Sequence, residues 1–394
     1  MNNAEIKAIS DQYLFSTYVR APLAIVRGEG TRVWDADGRE YLDFFSSTVV
    51  TALGHCHPAL VAALEKQAHQ IFHVSNLHYC EPQALFARQL VECSFADRVF
   101  LCNSGAEANE AAIKLARKYG HSAGGGRYEI ITALGSFHGR TLATIAATGQ
   151  EKVRVGFEPT QGGFRYVEYG SADALEAAIT ERTIGVMVEP VLGEGGVVVP
   201  PAGYLADLRA LCDRRDLLLI LDEVQTGIGR TGTMFGYQDE GVRPDIITLA
   251  KGLGSGFPIG AMLAAEPVAA AFNAGSHGST FGGNALACAV AGAVLDTIER
   301  DGLLANCRAM GERLRDRLQA LCGNAPKLAA VRGRGLLIAA VLDEPSAPFV
   351  DACREHGLIV NSTGGNVLRL APPLTVNAEE IDRAVDILAE VLGR

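Results

Sequence analysis

Lys251 is the residue whose type and position most directly suggest covalent chemistry. It follows the apolar run 246–250, and small residues surround it in the segment 250–256. Such a run predicts a buried strand. A lysine at its end loses hydration, which lowers the pKa of the amine and makes it a nucleophile suited to forming a Schiff base. Position alone leaves a solvated lysine as the commoner alternative.

Asp222 ends a second apolar run, one strand–helix unit before Lys251. The run 217–221 predicts another buried strand, and the carboxyl ends of strands in an open parallel sheet form ligand sites. A pyridoxal ring requires a lysine that accepts its aldehyde and a carboxylate that keeps its pyridine nitrogen protonated. The two residues together favour pyridoxal chemistry, with a helix cap or structural ion pair as the alternative for Asp222.

The segment 103–109, Asn-Ser-Gly-Ala-Glu-Ala-Asn, joins a predicted strand to a predicted helix. Ser104 can cap the helix, and Gly105 lets the backbone approach an anion. Free N–H groups and the helix dipole then form a phosphate site. Serine and glycine are common at helix starts, so this signal is weak by itself.

Strand–helix alternation must position these residues. Short apolar runs occupy 99–101, 128–131, 184–188, 217–221 and 246–249, and helical spacing fills segments such as 106–119 and 204–214. This pattern predicts an α/β fold with a mostly parallel sheet covered on both faces. The run 184–188 ends in Glu189, a third polar side chain at the same predicted edge.

The flanking segments predict a smaller α+β unit. Asp37-Gly38 separates two short runs, which indicates a hairpin, and a helix follows Pro58. Toward the C-terminus, charged amphipathic helices accompany two apolar runs at 335–338 and 367–370. The last helix is predicted to begin near Ala378, where acidic residues suit a helix N-terminus.

Composition excludes several classes of partner. The 394 residues carry a net charge of −10 without a run of lysine or arginine, which argues against nucleic acid and anionic membranes. The nine cysteines are scattered singly, so a reducing cytoplasm is expected. The N-terminus lacks a signal-peptide pattern, and no apolar stretch approaches the roughly 18 residues of a membrane span.

Two motifs suggest other sites and are set aside. Gly227, Gly229 and Gly232 match the glycine pattern of nicotinamide enzymes, but the residues that follow lack a helical pattern, and such a site needs a helix there. His55-Cys56-His57 could suggest a metal, but no further ligand cluster has suitable spacing. A metal site is therefore not expected.

Taken together, the motifs resemble the class III (ornithine-type) aminotransferases of pyridoxal-phosphate fold type I, from about Tyr18 to the C-terminus. That resemblance implies a large domain over 53–296 with a mostly parallel seven-stranded sheet, and a smaller α+β domain formed by 1–52 and 297–394. The matching stretches are 54–58, 103–110, 137–141, 193–196, 222–227, 244–251, 277–284 and 369–373.

The resemblance also implies the cofactor, pyridoxal 5′-phosphate, and its contacts. Lys251 would hold it covalently and move protons, and Asp222 would pair with the pyridine nitrogen. Gly105 and Ala106 would bind the phosphate through backbone N–H groups. The other implied cofactor contacts are Ser104, Phe137 stacked on the ring, His138, Glu189, Val224, Gln225 at the ring hydroxyl, and Thr280 reaching the phosphate of a neighbouring subunit.

Five residues are implied as substrate contacts. They are Arg140 for the substrate α-carboxylate, Glu194 and Arg369 as a gating pair, Ser279 near the neighbouring subunit's substrate, and Tyr18. A homodimer with shared active sites follows from the roles of Ser279 and Thr280. The chain departs from the family pattern at Leu192, where a glutamine is common, and at Thr51, where an asparagine is often found. Thr48 lies in a region that lines the pocket in relatives.

The implied reaction is the transfer of a terminal amino group from N-acetylornithine to 2-oxoglutarate, a step of arginine biosynthesis. Ornithine, succinyldiaminopimelate and 4-aminobutyrate are alternative donors, and a glutamate-1-semialdehyde aminomutase is a more distant one. A non-catalytic protein that only binds the cofactor is a rival of another class. Such proteins usually add a basic DNA-binding module, and the match beginning near residue 18 leaves no room for one.

Overall fold

A computed structural model of the chain describes residues 1–123, 125–322 and 325–393; Arg394, the last residue of the predicted small domain, lies outside them. The strands are β1 (Ile25–Glu29), β2 (Arg32–Asp35), β3 (Glu40–Asp43), β4 (Arg98–Cys102), β5 (Glu129–Ala133), β6 (Phe164–Val167), β7 (Thr183–Val188), β8 (Leu218–Asp222), β9 (Ile246–Leu249), β10 (Gly260–Ala264), β11 (Leu328–Arg334), β12 (Leu337–Leu342), β13 (Leu358–Ile359), β14 (Asn361–Thr363) and β15 (Val367–Leu370). The helices are α1 (Asn3–Tyr13), α2 (Ser46–Val49), α3 (Pro58–Ala68), α4 (Glu81–Glu92), α5 (Gly105–Ser122), α6 (Leu142–Ala147), α7 (Ala172–Ala178), α8 (Tyr204–Arg215), α9 (Glu266–Ala269), α10 (Ala285–Arg300), α11 (Leu303–Leu321), α12 (Ala347–Glu355) and α13 (Ala378–Leu392).

A seven-stranded sheet with the order β4-β10-β9-β8-β7-β5-β6 forms the centre of the large domain. The pairs from β9 to β6 are parallel, and β10 runs antiparallel to both β9 and β4. Every residue of β5, β7, β8, β9 and β10 is buried, because helices cover both faces of the sheet. The predicted α/β fold with a mostly parallel sheet is confirmed.

Helix α5 packs across β9 and β10 on one face of this sheet. Its buried side carries small residues, among them Ala108, Ala111 and Ala112, so the helix axis lies close to the strands. Ser104 caps the helix, accepting a hydrogen bond from the Glu107 N–H at 3.2 Å. The N-terminus of α5 therefore lies at the same edge as the carboxyl ends of the parallel strands.

Two four-stranded sheets form the smaller unit, with the orders β1-β2-β3-β13 and β11-β12-β15-β14. The parallel pairing of β13 with β3 brings the N-terminal and C-terminal segments together, and the predicted hairpin is the antiparallel pair of β2 and β3. Helix α10 crosses the predicted boundary at residue 296. The division into 53–296 and its two flanks stays a prediction.

The glycine motif at 227–232 and the segment His55-Cys56-His57 both form loops. A 3₁₀-helix of five residues, Gly236–Glu240, follows the glycine motif, which is too short for a dinucleotide-binding helix. His57 caps α3, with Nδ1 accepting from the Ala59 N–H at 3.3 Å, and His55 bonds Asp43 at 2.8 Å. Within the described ranges no cluster of His, Cys, Asp and Glu could hold a metal. Nor does any described helix have the length and apolar character of a membrane span.

Candidate active site

Lys251 lies directly after β9, at the start of a short 3₁₀-helix, Lys251–Leu253. Its backbone is left-handed, with φ at 46°, and the residue lines a cavity. The cavity has a volume of about 390 Å³. Burial lowers the pKa of Lys251 to about 8, so a useful fraction of the amine is neutral and nucleophilic near neutral pH.

Asp222 ends β8 and lines the same cavity. Its Oδ2 accepts from Asn109 Nδ2 at 2.8 Å and lies 2.7 Å from His138 Nδ1, while Oδ1 accepts from the Val224 N–H at 3.0 Å. The His138 proton must lie on Nδ1, since a carboxylate only accepts. The carboxylate is buried, and three donors surround it.

Glu189, at the end of β7, ties two loops to the sheet edge. Its two carboxyl oxygens accept from the Phe137 N–H at 2.9 Å and the Gly193 N–H at 3.0 Å. Burial, and then the charge of Asp222, raise the pKa of Glu189 to about 7. Glu189 and Asp222 are thus neighbouring buried carboxylates, and the charge of Asp222 favours the protonated form of Glu189.

The start of α5 lies on the wall of the cavity. Ser104, Gly105 and Ala106 line the cavity at the helix N-terminus, where N–H groups are free of partners within the helix. A Cβ at Gly105 would lie 2.9 Å from the Val224 side chain. Glycine therefore suits this close approach, and the phosphate site at this helix N-terminus stays a prediction.

Glu194, Gln225 and Arg369 form a polar cluster beside the cavity. Arg369 Nη1 donates to Glu194 Oε1 at 2.7 Å and to Gln225 Oε1 at 3.1 Å, and Gln225 Nε2 donates to Glu194 Oε1 at 3.1 Å. Arg369 is 1% exposed, and its Nη2 is buried without a hydrogen-bond partner in the described part of the chain. Burial acts to raise the pKa of Glu194, but the charges of Arg369 and Lys251 bring it below its usual value.

Four of the predicted contacts lie in loops that are less buried than the strand ends. Arg140 is exposed, and its guanidinium lies 5.6 Å from the centre of the Phe137 ring. Tyr18 is 74% exposed, Thr280 is exposed, and Ser279 accepts from the Gly282 N–H at 3.0 Å. The structure gathers the deep residues around one cavity and leaves Tyr18, Ser279 and Thr280 outside its lining.

Sequence reasoning missed several residues of the site. Asn109 and Thr248 are buried beside Asp222 and joined by a hydrogen bond of 2.7 Å. Thr248 is a polar residue within an otherwise apolar strand, and this feature of the sequence could have marked it as a residue of the site. The apolar lining formed by Val50, Phe257, Pro258 and Ile259 carries no pattern that separates it from core.

The residues present fit pyridoxal phosphate. The cavity volume suits a small cofactor, the α5 N-terminus suits its phosphate, and Asp222 suits a protonated pyridine nitrogen. His138 Nε2 and Arg369 Nη2 are buried polar atoms without partners among the described residues, as expected where a polar ligand completes a site.

Comparisons with known proteins agree with this geometry. The family model for class-III aminotransferases matches residues 15–392. The acetylornithine aminotransferase of Caldanaerobacter subterraneus subsp. tengcongensis is 51% identical over 384 residues, 97% of this chain and 98% of the relative. That of Methanothermobacter thermautotrophicus is 46% identical over the whole of both chains.

Solved structures give the same result at the level of the fold. An ornithine aminotransferase from Toxoplasma gondii superposes with a TM-score of 0.96 at 35% identity, covering 100% of this chain and 95% of that one. The N-acetylornithine aminotransferase of Stenotrophomonas maltophilia gives 0.84 at 40% identity, covering 98% and 97%. The chain belongs to the class-III aminotransferases, enzymes that depend on pyridoxal phosphate.

Proposed function

We propose that the protein transfers the terminal amino group of N-acetylornithine to 2-oxoglutarate, yielding N-acetylglutamate 5-semialdehyde and glutamate. The observation that carries the proposal is the placement of Lys251 and Asp222 in one cavity beside the Glu194–Arg369 pair. The relatives that are 46% and 51% identical over nearly the whole chain bear the name of this activity.

When bound, pyridoxal phosphate supplies an aldehyde for the amino group and a ring that accepts electrons. The chain supplies the positioning. Asp222 would face the pyridine nitrogen with its carboxylate, and the N–H groups of Gly105 and Ala106 would hold the phosphate. The Lys251 amine, with its pKa near 8, takes a proton from the substrate carbon and returns it, because both of its protonation states are accessible near neutral pH.

Two substrates of different shape must use one site. The donor presents its terminal amine while Arg140 holds its α-carboxylate at the entrance. Glutamate presents its α-amino group, which places a carboxylate deep in the site. Arg369 is the cation that receives it, and Glu194 neutralises Arg369 at other times. A movable partner suits this role because an unpaired buried charge is costly.

The charges around the cavity favour the acetylated donor. Ornithine carries an α-ammonium group that requires a carboxylate, whereas the acetamide of N-acetylornithine is neutral. Among the described residues that line the cavity the carboxylates are Glu189 and Asp222, and both accept hydrogen bonds from protein donors. Ornithine remains the second candidate, because the Toxoplasma ornithine aminotransferase superposes with a TM-score of 0.96.

A homodimer in the cytoplasm completes the proposal. Thr280 and Ser279 lie outside the cavity of their own chain, which suits a role in the site of a second copy. Exposed aromatic side chains, including Phe72, Tyr79 and Phe281, offer apolar area for such an interface. All nine cysteines are free thiols, in keeping with a reducing compartment.

A panel of ω-amino donors with 2-oxoglutarate as acceptor tests the proposal. We expect kcat/KM for N-acetylornithine to exceed that for ornithine by about a hundredfold, since an unmatched charge in a closed site costs a few kcal/mol. Succinyldiaminopimelate and 4-aminobutyrate complete the panel. Equal or better use of ornithine would overturn the choice of donor. A visible absorption band that shifts on addition of donor separates an aminotransferase from a protein that only binds the cofactor.

A further inference from the structure

The side-chain amide of Asn109 lies at the centre of a buried network behind Asp222. Its Nδ2 donates to Asp222 Oδ2 at 2.8 Å and to the His138 carbonyl oxygen at 2.7 Å, and its Oδ1 accepts from Thr248 Oγ1 at 2.7 Å. Asn109 is 1% exposed and Thr248 is 0% exposed. Each hydrogen-bonding group of this amide is therefore used, without help from solvent.

The partners of Asn109 fix the direction in which its amide points. Both the Asp222 carboxylate and the His138 carbonyl accept, so they require the NH₂ end. The Thr248 hydroxyl then donates to the oxygen end. A flipped amide would place oxygen against oxygen twice and leave buried groups unpaired, which is costly.

The network also divides the two oxygens of Asp222. Oδ2 has two donors close to it, Asn109 Nδ2 and His138 Nδ1, whereas Oδ1 has the Val224 N–H. A carboxylate oxygen accepts about two hydrogen bonds, so Oδ1 keeps capacity for one more donor. The neutral Asn109 amide supplies a donor to Oδ2 without bringing a second charge next to the carboxylate.

We propose that Thr248 and Asn109 are positioning residues: Thr248 holds the oxygen end of the Asn109 amide, and the amide occupies Asp222 Oδ2, so that Oδ1 stays available to the pyridine nitrogen of the cofactor. The effect passes from β9 through α5 to the end of β8. It rests on the proposed function for the identity of the ring, but it does not depend on which donor is used.

The holoenzyme reconstituted with pyridoxal phosphate labelled with ¹⁵N in the ring provides the test. Thr248→Val keeps the shape of the side chain and removes the hydroxyl, and Thr248→Ser keeps the hydroxyl. For Thr248→Val we expect the ring-nitrogen signal to move toward the unprotonated position and kcat to fall roughly three- to tenfold, the effect of one net hydrogen bond. KM should stay within about twofold, because the change acts on the reacting state and not on substrate binding. Thr248→Ser should restore the ring-nitrogen signal and kcat.

Thr132→Val is a matched control. Thr132 lies on β5 of the same sheet, is equally buried, and its Oγ1 has no hydrogen-bond partner in the described parts of the chain. The Thr132→Val substitution should leave the ring-nitrogen signal and kcat unchanged. The pair Thr248→Ser and Thr248→Ala gives the same contrast if the valine variant does not fold.

An unchanged ring-nitrogen signal in Thr248→Val, or equal losses in the valine and serine variants, would overturn the proposal. A fall in kcat without a change in that signal would also overturn it, because the residue would then be merely structural. Failure of the proposed function has a different signature: the labelled ring would behave as expected, while the donor panel would point to another substrate.

Discussion

The floor and the rim of the active site are built in different ways. The floor, defined as Lys251, Asp222, His138 and Glu189, lies at strand ends and in the loop that follows β5, and its carboxylates accept several hydrogen bonds each. The rim, defined as Tyr18, Arg140, Ser279 and Thr280, is made of loops, and most of it is exposed. One chain thus assembles the floor, whereas Tyr18, Ser279 and Thr280 of the rim lie outside the lining of its cavity. We expect substitutions in the floor to affect the rate of chemistry and those in the rim to affect binding and assembly.

The largest effect is expected for Lys251→Ala. Without the amine there is neither covalent attachment nor a group that moves the proton, so kcat should fall by at least about four powers of ten. The variant should still bind the cofactor, but non-covalently. Borohydride reduction followed by peptide mass mapping should find the pyridoxyl group on Lys251 of the native protein, and an adduct on another lysine would contradict the assignment. Lys66→Ala, an exposed lysine of α3, is the control.

Asp222→Asn should have the next largest effect. The amide cannot carry the charge that stabilises a protonated pyridine nitrogen, and its NH₂ group would face donors. A loss of about three powers of ten in kcat corresponds to about 4 kcal/mol of barrier. Steady-state rates beside a thermal melt check this, with the exposed Asp207→Asn as control. Near-native turnover in Asp222→Asn would contradict the electrostatic role assigned to Asp222.

Between floor and rim, Arg369 should discriminate the two half-reactions. Arg369→Ala should slow the glutamate half-reaction by about a hundredfold, the effect of losing a buried charged partner, and the donor half-reaction much less. Glu194→Ala should leave Arg369 open and favour transfer from the α-amino group of glutamate. Single-turnover absorbance measurements resolve each half. Equal losses in both halves for Arg369→Ala would mean that the residue is structural and that no gate exists.

The distinction between floor and rim also separates what the sequence predicts from what it does not. Lys251, Asp222 and Glu189 follow apolar runs, and a parallel sheet brings such strand ends together, so their proximity follows from pattern alone. The sequence pattern did not predict strands β6 and β10. Strand β6 is a partly exposed edge strand containing Arg165, and β10 consists mainly of small residues. Small side chains give little periodic signal.

Contacts between distant segments carry no local signal at all. Glu194 and Arg369 are 175 positions apart, and their pairing was expected from family resemblance and not from spacing. Asn109 on α5 and Thr248 on β9 resemble ordinary polar residues until the fold brings them to Asp222. The rim roles of Ser279, Thr280 and Tyr18 stay predictions, because they concern surfaces that a single chain leaves open.

The pH dependence of cofactor binding tests the pKa of Lys251, a residue of the floor, in the absence of substrate. Burial brings the pKa of Lys251 to about 8 from its usual 10.5, and the neutral amine is the nucleophile. Below pH 8 the rate at which the apoprotein combines with pyridoxal phosphate should rise about tenfold per pH unit, and above it the rate should level off. Stopped-flow absorbance measures it. Because the charge of Glu194 raises the pKa of Lys251, Glu194→Gln should move the midpoint to lower pH. A rate that still rises at pH 10 would indicate a solvated lysine.

The smallest effect is expected at the rim, from Thr280→Ala. If Thr280 donates to the cofactor phosphate in the partner subunit's site, its loss should weaken cofactor affinity by roughly tenfold, the contribution of one hydrogen bond to a charged group in an accessible place.

A mixed dimer decides where the Thr280 hydroxyl acts. When one subunit carries Lys251→Ala and the other Thr280→Ala, a residue acting across the interface gives one site with both native groups, so that site should bind the cofactor with native affinity. A residue acting within its own chain leaves the site that retains Lys251 without its threonine, and affinity stays weakened. Sedimentation at the concentrations used confirms the dimer, and native affinity in homodimeric Thr280→Ala would remove the residue from the site.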